Sequence, residues 1–106
     1  MAKILTVCQR GNNRSAALAY ILRDERGPNE VINYGPQGGL SDQSIEMLCE
    51  WAEKIIVTTK EVDVPEKFRI RRIFIDVGPD RWGINFNPEL LDLLRKGLDE
   101  DSHSRQ

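Results

Sequence analysis

Short apolar runs along the chain predict four β-strands. The first runs from Lys3 to Cys8; it is short, mostly apolar and partly β-branched, as in a strand buried on both faces. Three later segments have a similar character, although the first of them is weaker: 31–35, 54–59 and 72–76. Polar or turn-forming residues follow each run, so each strand is expected to end there.

Apolar residues at helical spacing predict three helices between and after these strands. The first covers 15–22 and is stopped by Gly27-Pro28. Ser41 is a suitable N-cap for the second, in which Ile45, Leu48, Cys49 and Ala52 share one face. The third opens at Asn87-Pro88, a cap followed by a proline at the first helical position, and is expected to end near Leu98. Residues 60–69 are charged and contain a proline, which predicts a loop or a short helix.

The alternation of strands and helices predicts an α/β fold. Strands separated by helices pair in parallel through right-handed crossovers, which gives a three-layer sandwich with a four-stranded parallel sheet flanked by helices. Ligands of such sheets bind outside the carboxyl ends of the strands. The turn that follows Cys8 is therefore the first place to look for a functional site.

Length and composition predict one small domain. The chain has 106 residues, is 40% hydrophobic and carries a net charge of −2, which fits a globular domain over 1–98 with a flexible tail over 99–106. No apolar run approaches the roughly 18 residues that a membrane span needs, and no signal-peptide pattern is present. We expect a cytoplasmic protein that contacts no membrane. The slight acidity gives no general attraction to nucleic acid.

The two cysteines, Cys8 and Cys49, are too few for a disulfide framework and lack zinc-site spacing. No metal and no cofactor are expected. Cys49 lies on the apolar face of the second predicted helix, where core packing is favoured over a redox partnership with Cys8.

The turn after the first strand has the composition of an oxyanion cradle. Between a strand and a helix, such a loop directs successive backbone N–H groups at one point. Glycine and asparagine tolerate the left-handed backbone conformations that this curl requires. The loop residues expected to bind an oxyanion are Gln9, Arg10, Gly11, Asn12 and Asn13.

Three side chains at the ends of this loop suit cysteine-based catalysis. The planar guanidinium of Arg14 can hold two phosphoryl oxygens at once. Close to that charge and to the helix start, the pKa of the Cys8 thiol is expected to fall from about 8.5 toward roughly 3.5 to 7.5, which would leave a thiolate at neutral pH. The Ser15 hydroxyl can donate a hydrogen bond to the sulfur and stabilise that thiolate.

This Cys-x₅-Arg-Ser loop resembles the signature loop of the protein tyrosine phosphatase superfamily. Its place near the N-terminus, between the first strand and a helix, is that of the low-molecular-weight phosphatases and their small predicted relatives. Two later parts of the chain are also similar to that family: 51–57, which leads into its third strand, and 76–82 followed by 87–91, which are similar to its acid loop and last helix. The resemblance thus covers nearly the whole chain.

The resemblance implies a general acid from the loop after the fourth strand. Asp80, two residues before Trp82, matches the family pattern better than Asp76, which ends the strand and is the alternative acid. The order Pro79-Asp80-Arg81-Trp82 departs from the Asp-Pro-aromatic order of larger family members. Trp82 is favoured as an aromatic wall of the substrate pocket over a lid on the loop.

The resemblance also implies the reaction. Cys8 would attack phosphorus, Arg14 and the loop would hold the oxygens, and Asp80 would protonate the leaving oxygen of a phosphate monoester. The substrate would be a phosphoprotein, with phosphotyrosine the leading expectation, or a small phosphate ester. Arg10 and Arg81 would favour an acidic substrate. Two alternatives stay open: an arsenate reductase, which needs further shuttling thiols, and a phosphate-binding module without catalysis.

Overall fold

A computed structural model of the chain describes residues 2–8, 14–35, 39–59, 64–75, 77 and 87–104. The strands within these ranges are β1 (Ala2–Val7), β2 (Asn29–Tyr34), β3 (Lys54–Val57) and β4 (Arg72–Phe74). The α-helices are α1 (Arg14–Tyr20), α2 (Asp42–Trp51) and α3 (Pro88–Ser104). A π-helix, Ile21–Glu25, continues α1, and a 3₁₀ helix, Glu66–Arg71, precedes β4. None of these helices is long and apolar enough to cross a membrane.

The four strands form one parallel sheet in the order β2-β1-β3-β4. β1 lies inside the sheet: its Leu5 pairs with Ile32 on one side and with Ile55 on the other. An interior strand of a parallel sheet is covered on both faces, which explains why the consecutive residues from Ile4 to Val7 are all buried. The parallel α/β sheet predicted from the sequence is confirmed.

Two apolar cores lie on opposite faces of this sheet and make it the middle of three layers. The core under α1 and α3 comprises Ile4, Ala17, Leu18, Ile21, Leu22, Ile56, Ile73, Ile75, Val77, Leu90 and Leu94. The core under α2 comprises Leu5, Val7, Tyr34, Cys49, Ala52, Ile55, Val57, Val64 and Phe68. Consecutive residues of β1 and β3 alternate between these cores, as the pleat of a strand requires.

Hydrogen bonds at its two ends explain where α2 begins and ends. Its N-cap is Ser41, as predicted, and the Ser41 hydroxyl accepts a hydrogen bond from the backbone N–H of Ser44 at 3.1 Å. At the other end, the Arg71 guanidinium donates to the carbonyl oxygens of Cys49 and Ala52, both at 3.1 Å. The carbonyls of a last helical turn lack partners within the helix, so this arginine completes α2.

The first and last helices differ from their predicted bounds. The helix that starts at Arg14 widens into a π-helix, closed by a hydrogen bond from the N–H of Arg26 to the carbonyl of Ile21 at 3.0 Å. The predicted end of α3 near Leu98 is wrong, because α3 continues to Ser104. Beyond Leu98, Asp99 forms an ion pair with Arg26 at 3.0 Å, a tertiary contact that apolar spacing does not reveal. The domain bounds and the flexibility of 99–106 stay predictions.

Gly97 allows α3 to approach the sheet, and its replacement by alanine is expected to destabilise the protein. A β-carbon at Gly97 would overlap Cγ2 of Ile75, which is only 4% exposed and whose β-branched side chain is stiff at χ1. Overpacking costs about 1–3 kcal/mol, whereas alanine gains only about 1 kcal/mol in helix propensity. A clash with a buried, branched side chain belongs to the upper part of that range, so the free energy of unfolding, measured in urea, should fall by about 1–2 kcal/mol.

Lys96→Ala is the matched control for this substitution, since Lys96 is the exposed neighbour on the same helix. It should leave the unfolding free energy within about 0.5 kcal/mol of the wild-type value. Equal or greater stability of Gly97→Ala would contradict the close packing of α3 on Ile75.

Candidate active site

The candidate site lies at the carboxyl edge of the sheet, where β1 ends at Cys8. The backbone N–H of Cys8 donates to the carbonyl of Tyr34 on β2 at 3.3 Å. On the other side, both the N–H and the hydroxyl of Thr58 donate to the carbonyl of Val7 at 2.9 Å. Val7 and Cys8 thus form hydrogen bonds with β2 on one side and with the residue that follows β3 on the other. These bonds give the thiol a rigid support.

The Ser15 hydroxyl lies 3.1 Å from the Cys8 sulfur, within hydrogen-bond distance. Both side chains are buried, Ser15 completely and Cys8 to 3% exposure. The Ser15 carbonyl accepts a hydrogen bond from the Thr6 hydroxyl at 3.0 Å, which fixes the start of α1 on β1. The loop between Cys8 and Ser15 therefore begins and ends at nearly the same point, as an anion-binding loop requires.

Arg14 is the first residue of α1 and is buried, with 5% of its surface exposed. Arginine is rarely buried to this extent unless partners surround its guanidinium. The sequence neighbours Arg14 and Ser15 thus place a fixed positive charge and a hydroxyl at the same end of α1 as the Cys8 thiol. This combination can stabilise a thiolate and hold an oxyanion.

Several predicted site residues lie outside the described residues. They are Gln9, Arg10, Gly11, Asn12 and Asn13 of the loop, and Asp76, Asp80 and Trp82 of the segment between β4 and α3. The described Ile75 and Val77 are both buried in the core under α1 and α3. The roles assigned to the eight outside residues stay predictions.

Asn33 is a site residue that the sequence did not single out. Its side-chain oxygen is a hydrogen-bond partner of the Ser15 hydroxyl, so Ser15 contacts both Asn33 and Cys8. The available signal was a polar residue near the carboxyl end of an otherwise apolar strand. That signal was weak, because β2 is an edge strand and polar residues are common at sheet edges.

Tyr34 and Cys49 pack beneath this edge rather than in the site. Both belong to the core under α2, with Tyr34 4% exposed and Cys49 fully buried. Burial raises the pKa of the Cys49 thiol and also that of Tyr34. Cys49 is therefore protonated at neutral pH, in agreement with the core role favoured from the sequence.

The chain is similar in structure to the YwlE arginine phosphatase from Geobacillus stearothermophilus. The superposition has a TM-score of 0.66 and covers 100% of this chain and 96% of that chain, at 16% sequence identity. Comparison with protein-family models finds no match, and neither does comparison with curated proteins. The sheet order and flanking helices of this chain are thus those of the low-molecular-weight phosphatase fold.

Proposed function

We propose that the chain is a cysteine-dependent phosphatase that hydrolyses phosphate monoesters through a phospho-cysteine intermediate. The observation that carries the proposal is the 3.1 Å contact between the Ser15 hydroxyl and the Cys8 sulfur, beside the buried Arg14. A buried hydroxyl directed at a cysteine sulfur and next to an arginine favours a thiolate. A cysteine that served only for packing would need neither neighbour.

The reaction has two displacement steps at phosphorus. In the first, the Cys8 thiolate forms an S–P bond while the P–O bond to the leaving group breaks, and Asp80 gives its proton to the departing oxygen. In the second, water attacks phosphorus, Asp80 takes a proton from it, and the S–P bond breaks to regenerate the thiolate. Ser15 stabilises the sulfur anion at both ends of this cycle.

The phosphoryl oxygens are held by Arg14 and by backbone N–H groups of the loop from Gln9 to Ser15. The fork of the guanidinium and the N–H groups supply the charge stabilisation that the transferring phosphoryl group requires. Asp76 is the alternative to Asp80 as the acid. Trp82 would form a wall of the pocket.

We infer that the substrate is phosphotyrosine in a protein or a similar small aryl phosphate. The arginine phosphatase activity named for the structural neighbour makes phosphoarginine the compound to compare with it. Hydrolysis breaks an O–P bond in phosphotyrosine and an N–P bond in phosphoarginine. Parallel assays with both, at equal concentration, would establish the preference.

An arsenate reductase is less well supported by the contacts of the second cysteine. That reaction requires thiols that relay the oxidation away from the first cysteine, and the chain contains only Cys8 and Cys49. Cys49 is fully buried beneath α2 and its pKa is raised by that burial. A thiol so placed is a poor nucleophile for a disulfide relay.

The purified chain should hydrolyse p-nitrophenyl phosphate, and vanadate should inhibit this hydrolysis. A chelator should leave the rate unchanged, because the loop and Arg14 supply the charge stabilisation. Release of p-nitrophenol, followed by absorbance, measures all three. Binding of phosphate or vanadate without turnover would favour the non-catalytic module, and thiol-coupled reduction of arsenate would favour the reductase.

A further inference from the structure

The Ser15 hydroxyl lies between two partners and has one proton to donate. Its oxygen is within hydrogen-bond distance of the Cys8 sulfur, at 3.1 Å, and of the Asn33 side-chain oxygen. If Ser15 donates to Asn33, the sulfur receives no proton from it. The orientation of the Asn33 carboxamide therefore determines whether the Ser15 hydroxyl donates to Asn33 or to the Cys8 sulfur.

A carboxamide suits this position because it is both a donor and an acceptor. With a neutral thiol, Cys8 donates to the Ser15 oxygen and Ser15 donates to Oδ1 of Asn33. With a thiolate, the amide turns so that Nδ2 donates to the Ser15 oxygen, and Ser15 donates to the sulfur. The oxygen and nitrogen of an asparagine exchange places by a rotation about one bond, so this reversal moves no backbone atom.

The register of the sheet holds Ser15 from two sides. Thr6 and Asn33 are paired residues of β1 and β2, and each contacts Ser15. The Thr6 hydroxyl donates to the Ser15 carbonyl at 3.0 Å, while Asn33 contacts the Ser15 hydroxyl. With its carbonyl and hydroxyl both engaged, Ser15 keeps one orientation toward the sulfur.

We propose that Asn33 is a positioning residue that directs the hydrogen bond donated by the Ser15 hydroxyl to the Cys8 thiolate. This inference rests on the proposed function and extends it to a residue on a different strand. Asn33 acts through Ser15 and takes no part in bonding to phosphorus. Its contribution is a hydrogen bond that becomes available to the sulfur when the sulfur is charged.

The described residues at this edge include few groups that can alter the charge on Cys8. Among the described residues that end the strands or begin α1 at this edge, the charged side chain is Arg14 and the other titratable one is Tyr34. Burial raises the pKa of Tyr34, so its hydroxyl stays neutral in the pH range of the titration. The charged residues named above that lie outside the described ranges are the same in every variant: Arg10, Asp76, Asp80 and Arg81. A difference in the titration of Cys8 between variants therefore reports on the path through Ser15.

The test is a double-mutant cycle on the pKa of Cys8. The Cβ resonance of isotope-labelled cysteine gives this pKa separately from that of Cys49, in titrations from about pH 4 to about pH 9. Ser15→Ala should raise it by about 1 unit, since a hydrogen bond to a charged group is lost. Asn33→Ala should raise it by a smaller amount, since it removes only the contact that orients the Ser15 hydroxyl toward the sulfur. The double variant should show no larger shift than Ser15→Ala alone, because Asn33 acts through Ser15.

Two further variants test whether the amide group of Asn33 is required. Asn33→Asp is nearly isosteric but accepts only, so it should hold the Ser15 proton and raise the Cys8 pKa at least as much as Asn33→Ala. Asn33→Asp also replaces Asn33→Ala in the test if Asn33→Ala does not fold. Ile32→Ala, at the exposed neighbouring position of β2, is the control and should leave the Cys8 pKa unchanged.

The acidic limb of the rate profile gives a second readout. Cys8 must be ionised to attack, so a raised pKa moves this limb to higher pH in Asn33→Ala. Unchanged titration of Cys8 in Asn33→Ala, or shifts that add in the double variant, would overturn the inference while hydrolysis by the wild type remained. An inactive wild type that still shows the coupled shifts would instead overturn the proposed phosphatase function alone.

Discussion

Cys8→Ser is expected to abolish hydrolysis of p-nitrophenyl phosphate, with kcat lowered on the order of 10⁴-fold or more. A serine hydroxyl at this place would have to lose a proton of far higher pKa than a thiol, so it is a much weaker nucleophile at neutral pH. The S–P intermediate could not form. Steady-state rates at several substrate concentrations separate this loss of kcat from any change in KM.

Two observations complete this test. Cys49→Ala, which removes the buried thiol beneath α2, should retain hydrolysis, since Cys49 belongs to the core under α2. Cys8→Ser should still bind phosphate in a calorimetric titration, because Arg14 and the loop N–H groups remain. Appreciable turnover by Cys8→Ser would end the proposal of a covalent cysteine mechanism.

Asp80→Asn is expected to lower kcat by about 10²- to 10⁴-fold, the usual contribution of a positioned general acid. A leaving group that departs as an anion requires no such acid, so the loss should be smallest with p-nitrophenyl phosphate and larger with phosphotyrosine. In the wild type the rate should fall at high pH as the acid loses its proton. This basic limb should disappear in Asp80→Asn.

Asp76→Asn is the paired comparison. Its two neighbours in the sequence, Ile75 and Val77, are both buried in the core under α1 and α3. A structural role for Asp76 predicts that the basic limb of the profile is retained. Loss of that limb in Asp76→Asn, with retention in Asp80→Asn, would reassign the general acid to Asp76.

The sheet and the contact between the Cys8 thiol and the Ser15 hydroxyl could be predicted from the sequence, because both depend on patterns among residues close together in the chain. The residues of β1 from Ile4 to Val7 are buried on both faces, and their mostly apolar pattern is visible without coordinates. Cys8 and Ser15 flank one loop between a strand and a helix, so their proximity follows from a tight turn. Ser41 likewise signals its own helix start through a contact three residues away.

The features that the sequence did not reveal depend on contacts between distant segments. Asn33 reaches Ser15 only because β2 pairs with β1 in a particular register, which places it opposite Thr6. α3 continues past Leu98, where the apolar spacing ends, and Arg26 pairs there with Asp99. Polar residues carry no periodic signal, so partners of this kind become visible only in the folded chain.

The π-helix after α1 has a consequence for how this chain is aligned with other proteins. Its wide turn, closed from Arg26 to Ile21, holds one residue more than an α-helical turn. A protein with the same fold and a regular helix at that point would have no counterpart for one residue of 21–25. An alignment should therefore open a single-residue gap inside this helix, so that Asn33 and the residues of β2 are compared with the correct positions.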